Sequence, residues 1–190
     1  MKQGDADAVT DRLVGLAPVV SPRTVVLVLG SFPGAASLRL QQYYGHPQNQ
    51  FWRILSAVWP EHPLPEGAAA YEQRCHWLLE RGVGLWDVYA SCERQGSLDA
   101  AIRRAQVNDF AGLKARCPLL RAVAHNGGES YRHHALVRHS LGMDPGPQGG
   151  STACPIESIK LPSTSPAHAA MGFALKFAAW KECLTRHGLA

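Results

Sequence analysis

An α/β fold, with a parallel sheet covered by helices on both faces, is what this sequence predicts. Three observations lead there. Short, valine-rich apolar runs alternate with segments of helical periodicity. Three of the four runs end in glycine, proline or asparagine, the residues of tight turns. The 190-residue chain, 46% hydrophobic and 18% charged, is long enough for one substantial core, so residues 1–190 are expected to form a single domain.

The first strand is "TVVLVLG", residues 24–30, bounded by Pro22 and by the Pro33–Gly34 turn, and its unbroken apolar character marks a strand buried on both faces. After a loop, Phe51, Ile54, Leu55 and Val58 follow helical spacing as far as Pro60, with Asn49 placed to cap the helix. Residues 66–80 are predicted helical and are stopped by Gly82 before the second strand, "VGLWDV". Asn108 is expected to cap a helix running to about Arg116. "LLRAVAHNGG" reads as a third strand that enters an Asn–Gly–Gly turn and a helix through His139. Residues 142–155 read as a Gly/Pro loop and "IESIKLP" as the last strand. Phe173, Phe177, Trp180 and Leu184 mark one face of a long C-terminal helix.

Composition disfavours several classes of protein. No apolar run reaches membrane-spanning length, and Asp5, Asp7 and Asp11 occupy the region where a signal peptide is basic, so a cytoplasmic protein with no membrane partner is expected. Five cysteines, Cys75, Cys92, Cys117, Cys154 and Cys183, are odd in number and widely spaced, which suits reduced thiols better than a disulfide framework or a metal site. His133 and His134 have no carboxylate at ligand spacing, and neither a metal nor a cofactor is expected. The chain has neither a P-loop nor a GxGxxG pattern, which disfavours a nucleotide enzyme. The net charge of +4, with eight Lys or Arg against four Asp or Glu in residues 91–140, permits an anionic partner or a merely solvated charged face.

In a parallel sheet, ligands bind beyond the carboxyl ends of the strands. Four segments converge there: residues 30–49, the turn after Trp86–Asp87, "HNGG", and "LPSTSPAHA" at 161–169. Gly30 and Gly34 let backbone approach a ligand and Pro33 stiffens the loop between them, although an ordinary strand-to-helix turn uses the same residues. "PSTSP" sets Ser163, Thr164 and Ser165 before an expected helix N-terminus, where free amides attract phosphate; Ser165 as cap with Pro166 at the first helical position explains the motif equally well. Tyr43 and Tyr44 either stack on a flat ligand or plug the core, and Trp52 is assigned to the core.

Taken in order, "GSFPG", "YYGHPQNQFW", "GVGLWDV", "SCERQGSLD", "HNGG" and "LPSTSPAHA" resemble the uracil-DNA glycosylase superfamily, most closely its hypoxanthine-DNA glycosylase branch, over roughly residues 24–187. The resemblance implies a three-layer α/β/α sandwich around a four-stranded, mostly parallel sheet. It implies a monofunctional enzyme of base excision repair that hydrolyses the N-glycosidic bond of a flipped deaminated base and leaves an abasic site. Hypoxanthine is the first expectation, uracil or xanthine the next. Double-stranded DNA carrying such a base would be the partner of a monomer, nucleoid-associated in a bacterium.

By the same resemblance, Tyr44 stacks on the flipped base, with Ser31, Phe32, Asp87 and Asn126 around it, while Gly34, His46, Ser163, Thr164, Ser165 and His168 meet the DNA. Phe32 stands where many members carry an Asp or Asn that orients water, so the catalytic role passes to Asn49, which as an isolated residue would read as a helix cap. Asp87 stands where uracil-specific relatives read the base edge with Asn; a structural salt bridge or turn is its other reading. Leu161 replaces their histidine. "STSPAH" offers no large aliphatic wedge, leaving His168 as a substitute, and no lysine falls in "HPQNQFW" or "PSTSP" to form a Schiff base. A fold retained without catalysis, as a DNA-damage-binding module, is the alternative.

Overall fold

The computed structural model describes residues 12–142 and 156–190. The Gly/Pro loop predicted for 142–155 therefore lies, apart from Gly142, outside the described residues, as does Cys154. In chain order the elements are β1 (Leu13–Val14), β2 (Val26–Gly30), α1 (Ala35–Leu40), α2 (Phe51–Val58), α3 (Tyr71–Glu80), β3 (Val83–Asp87), β4 (Tyr89–Glu93), β5 (Arg103–Val107), α4 (Leu113–Arg116), β6 (Ala122–Asn126), α5 (Gly128–Tyr131), α6 (His134–Ser140), β7 (Glu157–Leu161) and α7 (Phe173–Arg186).

The main sheet has the order β3-β2-β6-β7, and all its pairings are parallel. Its strands alternate between two buried faces, as the two-residue period of a strand requires. Val26, Val28, Val83, Leu85, Ala122 and Ala124 pack on one face with Phe51, Ile54, Leu55 and Trp180. Leu27, Leu29, Trp86 and Val123 pack on the other with Phe110, Leu113 and Val137. Helices on both sides make the three-layer α/β/α sandwich. Burying side chains such as Phe51, Ile54 and Leu55 is worth about 1.5–3 kcal/mol each, so α2 docks through its apolar face although no side chain of Gln50, its nominal cap, bonds to the helix end. Gly82, at φ 71°, takes the left-handed turn that ends α3 and feeds β3, and its N–H donates to the Leu79 carbonyl.

One feature lies outside the sequence-based expectations and one expectation fails. A second, antiparallel sheet has the order β1-β4-β5, and its central strand β4 follows β3 directly. Its outer strand, "RRAQV", is almost wholly exposed and carries no apolar period to announce it. The helix expected from Asn108 shrinks to Leu113–Arg116, because the Asn108 amide donates to the Asp87 carbonyl at 2.9 Å instead of capping, and Asp109 accepts the Ala111 N–H.

Candidate active site

The register of the parallel sheet decides what meets at its carboxyl end. Gly30 is paired with Asp87, and Asn126 with Leu161. A Cβ at position 30 would lie 2.3 Å from Asp87 Oδ1, so glycine is what gives the Asp87 carboxyl its room. That carboxyl is 5% exposed, and its Oδ2 has no hydrogen-bond partner within the protein. Burial, reinforced by the nearby Asp99 and opposed by Arg94, pushes Asp87 up to about 7.

The loop between α1 and α2 is held from below. The Tyr71 hydroxyl accepts the Tyr43 N–H, and the Trp52 indole N–H donates to the Tyr43 carbonyl. Tyr43 itself is core. These ties fix Tyr44 at φ 55°, a left-handed conformation that a tyrosine adopts only when its surroundings impose it. Its ring stacks on Phe51 with centroids 3.9 Å apart. The buried Tyr44 hydroxyl lies near the Asp87 carboxyl and the Asn126 amide; burial followed by the Asp87 charge raises its pKa, and the Asn126 amide opposes the rise.

Asn49 sits at the entrance to α2, where its Oδ1 accepts the Phe51 N–H at 3.0 Å. The side chain thus caps the first turn, as a lone Asn before a helix should, and the same bond fixes the direction of its carboxamide. Gln50 N–H, next in the chain, donates to the Thr164 carbonyl and ties this loop to the segment after β7.

Asn126 and Thr164 form a reciprocal pair: the Asn126 amide donates to Thr164 Oγ1, and its oxygen accepts the Thr164 N–H, both at 2.9 Å. Behind it, buried His125 bonds through Nδ1 to Ser130 Oγ, which donates to the Leu29 carbonyl. Ser130 has a single proton to give, so His125 Nδ1 carries its own. Burial holds this imidazole neutral, its pKa down to about 4.

These loops enclose a cavity of about 400 Å³. Tyr44, Asn49, Asp87 and Asn126 all line it, as do Ser31, Phe32, Gly34, His46, Ser163, Thr164, Ser165 and His168. Burial and local geometry bear on three of the expected roles. Phe32 is 6% exposed and packs in the core under the Arg94 guanidinium, so its ring presents little surface to a base. Thr164 is fully buried, and its side chain locks the loop rather than meeting a phosphate. No helix begins at Pro166: Ser165 Oγ accepts the Ala167 N–H within a turn, and α7 starts only at Phe173, which leaves "PSTSP" without a helix dipole. His168 and Ser165 stay at the surface on that turn, and His46 is exposed, its Nδ1 accepting the Gln48 N–H.

The sequence reading assigned no role to Ser97–Ala100, which form another wall. Asp99 Oδ1 accepts the Ser31 hydroxyl proton at 2.7 Å, Ser97 Oγ accepts the Ala35 N–H at 2.9 Å, and buried Arg94 donates to the Pro33 carbonyl. The motif "SCERQGSLD" is their only signal in the sequence, because they lead into β5, a strand that carries no apolar period. Among the described residues no group of three or more His, Cys, Asp or Glu is arranged to hold a metal ion.

Comparison with known proteins gives concordant results. The family described as the uracil DNA glycosylase superfamily matches residues 17–185. A hypoxanthine DNA glycosylase of Methanosarcina acetivorans is 39% identical over 126 residues, spanning 65% of this chain and 77% of the relative. One of Methanosarcina barkeri is 38% identical over 124 residues with the same coverage. A solution NMR structure of a Methanosarcina acetivorans protein, provisionally assigned as a uracil DNA glycosylase, superposes with a TM-score of 0.74 at 31% identity, covering 94% of this chain and 99% of the other.

Proposed function

The chain belongs to the uracil DNA glycosylase superfamily, and from that membership we propose that it is a monofunctional DNA glycosylase of base excision repair whose preferred lesion is hypoxanthine. The single observation that carries the reading of a deaminated base is Asp87, a buried carboxyl with an unpartnered oxygen at the end of β3, lining the same cavity as Tyr44 and Asn49. An ionised carboxylate only accepts hydrogen bonds; the protonated form offers a donor and an acceptor side by side. Hypoxanthine presents the complement, a carbonyl oxygen next to a ring N–H, and uracil and xanthine present the same edge, so what favours hypoxanthine among them is the resemblance to relatives of that activity. The two similar relatives carry the name of that activity.

The chemistry follows from charge. As the C1′–N bond lengthens, the sugar becomes cationic and the base gathers electrons. Asp87 O–H, directed at the base carbonyl, stabilises the negative charge where it accumulates. Asn49 cannot deprotonate water effectively, but its oxygen, fixed by the Phe51 N–H, retains a lone pair that can hold a water beside C1′. That water adds to the sugar, its proton leaves with the base, and an abasic site remains. Tyr44, backed by Phe51, supplies the flat surface for stacking.

The whole chain acts as one domain and as a monomer on duplex DNA in the cytoplasm, at the nucleoid if the cell is bacterial. Free Cys75, Cys92, Cys117 and Cys183 suit a reducing compartment. Incubation with duplexes bearing hypoxanthine, uracil or xanthine, followed by alkaline cleavage, tests the reading. Asn49→Ala should slow excision on the order of 100-fold or more while binding and fold persist. Binding by the wild type without strand breaks would favour a damage-recognition module instead, the reading that the missing polar group at Phe32 supports.

A further inference from the structure

Six large hydrophobic side chains are conspicuously exposed among the described residues, and of these only Leu98 borders the cavity. It is 61% exposed and stands at the tip of the segment between β4 and β5. The segment is tied down on either side of it. Ser97 and Asp99, its chain neighbours, bond to Ala35 and Ser31, Arg94 bonds to Pro33, and the Leu98 carbonyl accepts the Ala101 N–H. Every polar anchor reaches the first loop or the turn itself, while the isobutyl group is left in solvent. An isolated exposed leucine is ordinary; one held rigidly at the mouth of a cavity by bonds on both sides is placed there at low entropic cost for use.

Extruding a nucleotide leaves a hole in the base stack, and apolar side chains commonly fill such a hole. On the opposite rim, Ser163–His168 has no large aliphatic residue. We propose that Leu98 is the wedge that enters the duplex where the lesion leaves it, so that base extrusion is driven from the β4–β5 side of the cavity. The inference rests on the glycosylase reading. It also gives a use to the antiparallel sheet, whose β5 carries the chain onward from the wedge turn.

The test uses the full-length protein, hypoxanthine in duplex and in single-stranded DNA, and 2-aminopurine beside the lesion as a fluorescent reporter of unstacking. Leu98→Ala should lose roughly tenfold more single-turnover excision rate on the duplex than on the single strand, and should abolish the fluorescence rise. Leu98→Met should preserve most of both. Equal losses on the two substrates, or a wild-type fluorescence rise in Leu98→Ala, would overturn the proposal. A wild type that leaves hypoxanthine attached yet shows a Leu98-dependent rise would sink the glycosylase reading and keep the wedge. With no rise even in the wild type, the wedge itself is lost.

Discussion

Asp87 is where one side chain decides most. Its oxygen without a partner and its place on the cavity wall make its protonation state the variable that separates a lactam-reading acid from a repelling anion. With the carboxyl pushed up to about 7, single-turnover excision of hypoxanthine should fall as pH rises through that value. Asp87→Asn should be slower at pH 6 and lose this dependence. An unchanged profile in the variant would remove Asp87 from base recognition. The residues that define this wall were legible because they close apolar strands: Gly30, Asp87 and Asn126 each end a run that could only be a buried strand. Less legible is Thr164, since a Ser/Thr-rich stretch before Pro166 looks the same in sequence whether its hydroxyls serve a ligand or pair with the Asn126 amide.

Among the elements, α7 does more than cover the sheet. Lys176, 1% exposed, donates its ammonium proton to the His168 carbonyl at 2.9 Å, and the Trp180 indole donates to the Pro162 carbonyl at 3.1 Å. The helix therefore props the segment after β7 at two points, and burial lowers the Lys176 pKa. Lys176→Met should keep the packing of the alkyl stem, lower stability by about 1–3 kcal/mol through the orphaned carbonyl, and speed amide exchange across residues 162–168. Exchange as slow as in the wild type would show that the segment stands without this prop. The β-strands divide by legibility for a physical reason. β2, β3 and β6 are buried on both faces and announce themselves, whereas β5 is a solvent-facing edge with Arg103, Arg104 and Gln106, whose pairing depends on backbone bonds that composition does not encode. The cavity wall after β4 was missed for the same reason.

The whole molecule feels the titration of its interior. Asp87 is raised to about 7 in the fold, so its contribution to stability is complete below the ordinary aspartate value and is lost as pH rises through about 7. His125 is lowered to about 4, so its contribution is complete above the ordinary histidine value and is lost as pH falls toward 4. Between roughly pH 4 and 6.5 the two slopes oppose each other; above that range only the Asp87 loss remains. Denaturant unfolding across pH should show Asp87→Asn gaining on the wild type by a few kcal/mol between pH 4 and 8, and a constant difference would contradict the burial assigned to this carboxyl. Both groups lie along the central sheet, one at the end of β3 and the other inside β6, so the acid that reads the ligand and the imidazole that braces the scaffold are set by the same packing. The Gly30–Asp87 contact also restricts how such a chain can diverge over time. An added methyl at 30 would sit 2.3 Å from Asp87 Oδ1, so that floor can gain bulk only if the carboxyl turns aside or is replaced first.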